Sequence, residues 1–336
     1  MLILKKIIKS VKWTLLTLLI AAAFLLAYFN FPVKKSNEKA ELGVTFSSRY
    51  AQDIQVDWRA NFIALLDDLG VRKIRIPVYW DLVEKNPGEY DFSQVDWQLQ
   101  EAGKRQAEII LVVGQKVPRW PECAIPVWAQ NDNQIRKTRL LKFINTVVER
   151  YKNEPAVEFW QVENEPFLKF GICPPLDVQL LDSEIGLVRL LDPRRKIIVT
   201  DSGELSLWIE AAKRADVFGT TMYRTIWKEG VGYFNYPIGP RFFHLKKWLA
   251  EIFTDQENFI VIELQAEPWI SGSTTERPLE EQFQSMNAEK LKENVDFARK
   301  VGFPEVYLWG VEWWYWLKVE KNHPELWNQA KELWSQ

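Results

Sequence analysis

The sequence has few of the residues that most metal-dependent and histidine-dependent active sites require. Its 336 residues include two histidines, His244 and His323, and two cysteines, Cys123 and Cys173. Since these form no close cluster with acidic residues, a zinc site or a histidine-based catalytic triad has little to be built from. The chain also lacks the glycine-rich nucleotide loop that is typical of doubly wound domains. Any catalysis would therefore depend on carboxylates.

Net positive charge is missing outside the N-terminus. The first 39 residues contain seven lysines and one glutamate, whereas the rest of the chain has 36 basic and 44 acidic residues, a net charge of −8. An acidic domain binds the phosphates of nucleic acids poorly. We therefore expect no nucleic-acid partner.

Aromatic residues, by contrast, are abundant. Hydrophobic residues make up 47% of the chain, which is ample for a buried core, and there are 17 Trp and 10 Tyr residues. These rings both stack and hydrogen-bond, so they favour either packing or a ligand. Carbohydrates are one class of ligand that uses both properties.

A long hydrophobic run lies near the N-terminus. Residues 13–31 are almost entirely apolar, and 19 residues are just enough to span a membrane as a helix. Four lysines precede the run. They favour a basic cytoplasmic segment over 1–12, a transmembrane signal anchor over 13–31 and an extracytoplasmic remainder at the cell membrane, although Lys34 and Lys35 weaken the charge contrast.

A cleaved signal peptide is the alternative to an anchor. The small residues at 21–23 lie inside the apolar run, so cleavage there would leave an apolar end. Residues 32–40 are polar and rich in lysine, which predicts a tether. Export would also favour a disulfide between Cys123 and Cys173, which both lie in proline-rich loops, over two unrelated thiols.

From residue 42 onward, short apolar runs alternate with stretches that have helix-spaced apolar positions. This alternation is typical of βα units and a parallel sheet. The predicted strands are 42–46, 73–78, 108–113, 157–162, 196–200, 217–222, 259–263 and 305–309. The predicted helices are 58–69, 94–105, 135–151, 178–191, 205–214, 241–253, 278–300 and 324–334. Eight units without a second composition break or long linker predict one (β/α)8 TIM barrel over 41–336, whereas two smaller doubly wound domains are the alternative.

Polar residues follow two of the predicted strands, at the end where the active sites of such barrels lie. The fourth strand runs into Asn164, Glu165 and Pro166, and the seventh runs into Glu263. Cleavage of a glycosidic bond with retention needs one carboxyl group to protonate the leaving oxygen and another, about 5–5.5 Å away, to attack the anomeric carbon. A single glutamate at a strand end is more often solvated or paired than catalytic, but a pair on strands four and seven is a more specific pattern.

This pair, with its Asn-Glu-Pro sequence, resembles the clan A retaining glycoside hydrolases, a (β/α)8 superfamily that includes cellulases, mannanases, β-galactosidases and xylosidases. The similarity covers nearly all of the chain after the N-terminal segment. It implies that Glu165 is the acid/base, that Glu263 is the nucleophile and that Asn164 hydrogen-bonds the sugar 2-hydroxyl. It also implies that no cofactor or metal is needed.

The resemblance extends to other positions. Arg75 matches a strand-two arginine beside the nucleophile, where a cation keeps that carboxylate ionised, although a structural salt bridge is the alternative. Tyr223 resembles a strand-six tyrosine that orients the nucleophile, or is an ordinary tyrosine of the rim. Trp309 matches the strand-eight tryptophan that forms a floor under the reacting sugar, a place that Trp313 could fill instead. Further residues of the mouth loops could line a sugar groove or simply pack: Gln115, Lys116, Trp120, Trp128, Trp227 and Trp269.

The sequence after strand seven departs from the pattern common in cellulases, so we assign no particular family. Glu267 is a rival nucleophile, disfavoured because it lies four residues beyond the apolar run. Glu163, Asp201 and Glu204 also approach the mouth, and one of them could bind substrate or raise the pKa of the acid/base as a like charge.

The expected function is that of a retaining β-glycoside hydrolase acting on a β-linked oligo- or polysaccharide. A transglycosylase in envelope or exopolysaccharide assembly is one alternative, in which a sugar instead of water resolves the intermediate. A non-catalytic carbohydrate-binding barrel is the other, although the presence of both carboxylates and Arg75 disfavours it.

Overall fold

A computed structural model describes residues 2–33 and 40–335, so most of the predicted tether, 34–39, lies outside the described residues. Ten strands occur in these parts of the chain: β1 (Glu41–Thr45), β2 (Lys73–Pro77), β3 (Glu108–Val113), β4 (Val157–Val162), β5 (Ile197–Asp201), β6 (Val217–Met222), β7 (Thr225–Lys228), β8 (Gly232–Asn235), β9 (Phe259–Gln265) and β10 (Glu305–Trp309). Strands β1 to β6, β9 and β10 form a closed parallel barrel in that order, and β7 and β8 form an antiparallel hairpin. The predicted (β/α)8 barrel is confirmed.

Helices surround the barrel and follow its strands. Their bounds are α1 (Leu2–Phe29), α2 (Ser48–Asp53), α3 (Trp58–Asp67), α4 (Trp80–Val83), α5 (Ser93–Lys104), α6 (Val127–Gln130), α7 (Asn133–Tyr151), α8 (Val178–Leu191), α9 (Ile209–Ala212), α10 (Pro240–Thr254), α11 (Leu279–Ser285), α12 (Ala288–Val301), α13 (Val311–Glu320) and α14 (Glu325–Trp334). Side chains cap several of the long helices by accepting hydrogen bonds from backbone N–H groups of the first turn. The capping residues of α3, α7, α8 and α12 are Asp57, Asp132, Asp177 and Asn287, respectively.

The barrel strands are runs of aliphatic and β-branched residues because both faces of a parallel sheet are covered. All seven residues of β9 are buried. Inside the barrel, a small apolar cluster takes side chains from five strands and includes Ile110, Ile198 and Tyr307. The Tyr307 ring lies so close to Gly43 that a Cβ atom there would come within 2.7 Å of it. A larger core fills the layer between strands and helices.

Two predictions from helical periodicity were wrong in detail. The predicted helix 205–214 is reduced to α9, because Trp208 takes a left-handed conformation with φ of 70°. The predicted helix 278–300 is two helices, since Met286 is extended and Asn287 caps α12. The β7–β8 hairpin and α13 were not predicted.

Helix α1 extends from Leu2 to Phe29 and contains all but the last two residues of the apolar run. Its segment Lys6–Phe29 is long and apolar enough to cross a membrane, with a mean hydropathy of 1.9, and none of its most apolar stretch is buried against the barrel. A transmembrane span and a signal sequence both fit this helix.

The two cysteines form the expected disulfide. Cys123 follows β3 and Cys173 follows β4, and their Cα atoms are 5.3 Å apart. The bond therefore joins two successive loops at the mouth of the barrel.

Candidate active site

Glu165 and Glu263 reach the same end of the barrel. Glu165 lies three residues beyond β4, and Glu263 lies two residues before the end of β9. Parallel pairing sets Glu263 beside Thr221 of β6, and the Thr221 hydroxyl donates a hydrogen bond to Glu165 Oε1 at 3.1 Å. Since neighbouring strands are about 4.8 Å apart, the two carboxyl groups are neighbours in the barrel mouth.

Glu263 is part of a buried ion pair. Its side chain is only 3% exposed, and that of Arg75 is not exposed at all. Arg75 donates from Nη1 to Oε1 of Glu263 at 2.7 Å, and the Tyr223 hydroxyl donates to Oε2 at 3.0 Å. Both carboxylate oxygens therefore have a donor, which is the arrangement that a buried negative charge requires.

Arg75 also positions Asn164. Its Nη2 atom donates to Asn164 Oδ1 at 2.6 Å, and its Nε atom donates to Gln161 Oε1 at 2.8 Å. Because the guanidinium fork is planar and rigid, these bonds fix the side chains of β2, β4 and β9 relative to one another.

Glu165 lies in a strained turn. Its φ is 43°, a conformation that non-glycine residues rarely adopt. The turn is held by its neighbours, because its backbone N–H donates to Thr200 Oγ1 at 2.8 Å and its carbonyl accepts from Lys116 Nζ at 2.9 Å.

The environment of Glu165 favours its protonated form. Burial raises the pKa of this carboxyl group well above its usual value, and the negative charges of Glu263, Glu122 and Asp201 raise it further. The expected like-charge effect thus comes in part from Asp201. The site sets one carboxylate with two donors beside one carboxyl group whose pKa is raised.

The sequence did not single out Glu122, a third carboxyl group at this site. Asn164 Nδ2 donates to Glu122 Oε2 at 3.3 Å, and Glu122 is 7% exposed. Burial and the charge of Glu263 raise the pKa of Glu122 to about 7. Its φ of 73° and its place next to Cys123 put it at a sharp turn tied down by the disulfide. The loop after β3 has no periodicity, and its three prolines and its cysteine were the available signal.

The other acidic residues expected near the mouth have separate partners. Glu204 accepts a hydrogen bond from the backbone N–H of Tyr223 at 3.0 Å, and burial raises the pKa of Glu204 to about 7. Glu163 accepts from the backbone N–H groups of Gln115 and Lys116 at 2.8 and 2.7 Å. Glu204 thus supports the end of β6, and Glu163 supports the loop after β3.

Glu267, the rival nucleophile, belongs to a different ion-pair network. Its Oε1 atom accepts from Arg119 and, at 2.7 Å, from Trp309 Nε1. Arg119 also donates to Glu312 at 2.6 Å and lies 4.2 Å over the Trp309 ring. Trp309 is therefore at the mouth with its indole fixed, as a floor residue would need to be.

Trp313 lies outside the network formed by Arg119, Glu267 and Trp309. It lies in α13, is wholly buried, and donates from Nε1 to Gln282 at 2.7 Å. Trp128 likewise packs edge-on against Trp80, with ring centroids 5.8 Å apart. Their aromatic rings are used for packing.

A row of aromatic rings leads outward from Tyr223. Ring centroids are 5.1 Å apart between Tyr223 and Trp269, 6.1 Å between Trp269 and Phe170, and 6.2 Å between Phe170 and Trp120. Phe170 is 40% exposed and Trp120 is 60% exposed. Rings of this kind, open to solvent at one end, offer faces on which sugars can stack.

Across residues 2–33 and 40–335, no group of three or more His, Cys, Asp or Glu side chains is arranged to hold a metal ion.

No protein-family model and no curated protein sequence matches the chain. Solved structures do match its fold. One is a β-galactosidase from the haloarchaeon Halorubrum lacusprofundi, with a TM-score of 0.55 and 15% identity over 80% of this chain and 52% of that one. Another is a β-galactosidase from Rahnella sp. R3, with a TM-score of 0.57 and 12% identity over 91% of this chain and 57% of that one.

Xylanase 10B from Thermotoga petrophila RKU-1 is similar in fold over nearly all of its length. Its TM-score is 0.55, with 14% identity over 88% of this chain and 94% of that one. This chain thus spans about half the length of the two β-galactosidases and nearly all of the xylanase. At these identities the similarity establishes the barrel fold, and it agrees with the resemblance to clan A glycoside hydrolases.

Proposed function

We propose that this protein is a retaining glycoside hydrolase that cleaves β-linked oligo- or polysaccharides. The observation that carries the proposal is the contrast between two neighbouring carboxyl groups. Glu263 has a donor on each oxygen, and the pKa of Glu165 is raised by burial and like charges. Pairs of acids with environments this different divide the roles of nucleophile and proton donor between them.

In the first step, an oxygen of Glu263 forms a bond to the anomeric carbon as the bond from that carbon to the glycosidic oxygen breaks. Glu165 transfers its proton to this oxygen, and the leaving sugar departs as an alcohol. In the second step, the Glu165 carboxylate takes a proton from water. The water oxygen then bonds to the anomeric carbon, and the ester to Glu263 breaks. Two inversions leave the configuration unchanged.

The surrounding residues take supporting roles in this proposal. Asn164 and Glu122 would bind sugar hydroxyl groups beside the reacting carbon. Trp309 would form the floor of the subsite, and the row from Trp269 to Trp120 would stack on sugar units farther along the chain.

We further propose that the chain is anchored in the cell membrane by the apolar run 13–31, most of which lies in α1. Segment 1–12 would be cytoplasmic, and the catalytic domain 41–336 would lie on the other side. The apolar length of α1 and the lysines before it support this orientation.

The experiment is a panel of aryl β-glycosides and β-glucans given to the full chain in detergent. We expect Glu165→Gln and Glu263→Ala each to lower kcat by about 10²- to 10⁴-fold, as loss of a catalytic carboxyl group does. Glu158→Gln is the matched control, since Glu158 is an exposed glutamate on β4, the strand that precedes the Asn-Glu-Pro motif. Absence of turnover with sugar binding retained would instead support a binding protein.

Rescue of activity by azide identifies which carboxylate is the nucleophile. It should restore activity to Glu263→Ala and yield a glycosyl azide of inverted configuration, because azide then takes the place of the nucleophile. Restoration of Glu267→Ala in its place would overturn the assignment of Glu263. Addition of acceptor sugars shows whether water or a sugar resolves the intermediate, and transfer products in place of hydrolysis would indicate a transglycosylase.

A further inference from the structure

The C-terminal end of α1 packs directly on the barrel. Asn30 Nδ2 donates to the carbonyl of Pro237 at 2.9 Å, and the Phe29 ring meets the Phe242 ring edge-on at 5.3 Å. The backbones are equally close, since a Cβ atom on Gly239 would come within 2.3 Å of the Phe29 carbonyl oxygen. The helix therefore meets the barrel without a spacer between them.

The part of the barrel that α1 contacts lies at the rim of the barrel mouth. Residues 236–242 connect the β7–β8 hairpin to the first turn of α10. In a βα barrel, the N-terminus of each helix lies at the same end as the active site. Arg224 connects this segment to the candidate active site. It follows Tyr223 in the chain and donates hydrogen bonds to the carbonyls of Ile238 at 2.9 Å and Tyr236 at 3.4 Å.

The length of α1 fixes the height of this rim above a membrane. The uncharged part of the helix, from Trp13 to Phe29, has 17 residues, or about 26 Å at 1.5 Å per residue. A hydrocarbon core is about 30 Å thick. Because the apolar helix has no excess length, Phe29 and Asn30 must lie at the edge of the hydrocarbon, and Pro237 must lie at the height of the lipid headgroups.

The residues at this height suit a lipid interface. Tyr28 and Phe31 are exposed aromatic residues, which membrane interfaces favour. The Arg241 guanidinium lies 5.3 Å from the Tyr28 ring and 4.9 Å from the Phe31 ring. A planar cationic group beside interfacial aromatic rings suits the anionic headgroups of lipids.

We propose that residues 234–242, the membrane-facing rim, rest on the lipid headgroups, so that the barrel mouth opens at the bilayer surface. The contact with lipid rests on the proposed anchoring and is independent of the reaction. As a consequence that rests on the proposed function, glycans presented at the membrane surface would reach the carboxylates more readily than glycans free in solution.

The position of the rim can be measured on the full chain in phosphatidylcholine–phosphatidylglycerol vesicles. Both native cysteines are in the disulfide, so Phe234→Cys adds a unique thiol for an environment-sensitive nitrobenzoxadiazole label. Phe234 is three residues from Pro237, at most about 11 Å along the chain. The control is Leu190→Cys. Leu190 is 77% exposed and lies near the C-terminus of α8, at the opposite end of the barrel.

We expect spin-labelled lipid to quench the label at residue 234 several-fold more than the label at residue 190. Equal quenching at the two sites, or none at residue 234, would overturn the proposal. Gly239→Ala should lower the quenching at residue 234, because its Cβ atom displaces the Phe29 carbonyl. Gly103→Ala should not, since space around Gly103 is open. Unchanged quenching in Gly239→Ala would also count against the proposal.

A second comparison tests glycan access. The same sugar is offered as a soluble aryl β-glycoside and as a long-chain alkyl β-glycoside embedded in the vesicles. Gly239→Ala should slow cleavage of the embedded glycoside several-fold and leave that of the soluble one unchanged, whereas equal rates for the embedded glycoside in variant and wild type would refute preferential access. If neither glycoside is cleaved, the proposed function fails, and the quenching result still decides the membrane contact.

Discussion

At the scale of single residues, the site depends on how charge is divided among four acidic side chains. Arg75 and Tyr223 each donate a hydrogen bond to Glu263, whereas Glu165 accepts from the Thr221 hydroxyl. Glu122 and Asp201 add negative charge near Glu165. The same burial that requires a cation for one glutamate therefore keeps a proton on the other.

The pH dependence of activity should report this division. The charge of Glu122 raises the pKa of Glu165, and Glu165 must be protonated in the first step of the proposed reaction. In Glu122→Gln, Glu165 loses its proton at a lower pH, so the basic limb of the kcat profile should move toward acid by roughly 1 pH unit. The measurement is the kcat profile with Glu158→Gln as control. A basic limb that stays in place or moves to higher pH would contradict the role given to Glu122.

At the scale of secondary-structure elements, the loops after β3 and β4 act as one unit. The disulfide joins them across 50 residues of sequence, and Asn164 from the second loop is hydrogen-bonded to Glu122 from the first. Gly171 is packed against Glu122 so closely that a Cβ atom there would come within 2.5 Å of Glu122 Cβ. The turn that carries Glu122 is therefore held from both sides.

Removal of the disulfide should affect both stability and activity. Loss of a link across 50 residues costs about 4 kcal/mol in the chain-entropy description. We expect Cys123→Ala/Cys173→Ala to lower the free energy of unfolding by up to that amount, and to lower kcat/KM because Glu122 is no longer fixed beside Asn164. Urea unfolding and steady-state kinetics measure the two effects, with reduced wild-type protein as comparison. A variant as stable and as active as the oxidised wild type would contradict this view of the loops.

Sequence patterns predicted the strands of this fold better than its loops. Each barrel strand is an apolar run covered on both faces, and so each of the eight could be located, with Glu165 and Glu263 at their ends. The β7–β8 hairpin was missed because strands of four residues give too little periodicity. Trp313 was misplaced because the segment after β10 turns at once into α13, whose tryptophans pack inward. Glu122 depends on a contact between two loops, which no local pattern encodes.

At the scale of the whole molecule, the mouth gathers buried acids that make the barrel less stable at high pH. Burial raises the pKa of Glu122 to about 7 and that of Glu204 to about 7, from an ordinary 4.5. A carboxyl group whose pKa is raised by folding stabilises the folded state fully below its unfolded pKa, and that stability is lost as pH rises through the folded pKa. The relevant window is therefore about pH 4.5 to 7. Asp68, whose pKa is lowered by Lys318 and Lys331, acts in the opposite sense and below this window.

The free energy of unfolding should therefore fall as pH is raised from 5 to 8, and Glu122→Gln should remove part of that fall. For Glu122, a shift from 4.5 to about 7 corresponds to about 3 kcal/mol. Glutamine carries no charge at either pH and can still accept from Asn164, so the variant should be more stable than wild type at pH 8 and similar at pH 5. Urea unfolding of the full chain in detergent at the two pH values measures this, with Glu158→Gln as control. If the free energy of unfolding has the same pH dependence in wild type and Glu122→Gln, then ionisation of Glu122 does not destabilise the folded state. A weaker pH dependence in Glu122→Gln would show that the acidic residues of the barrel mouth are held together at the expense of stability, as expected where like charges are held together for function.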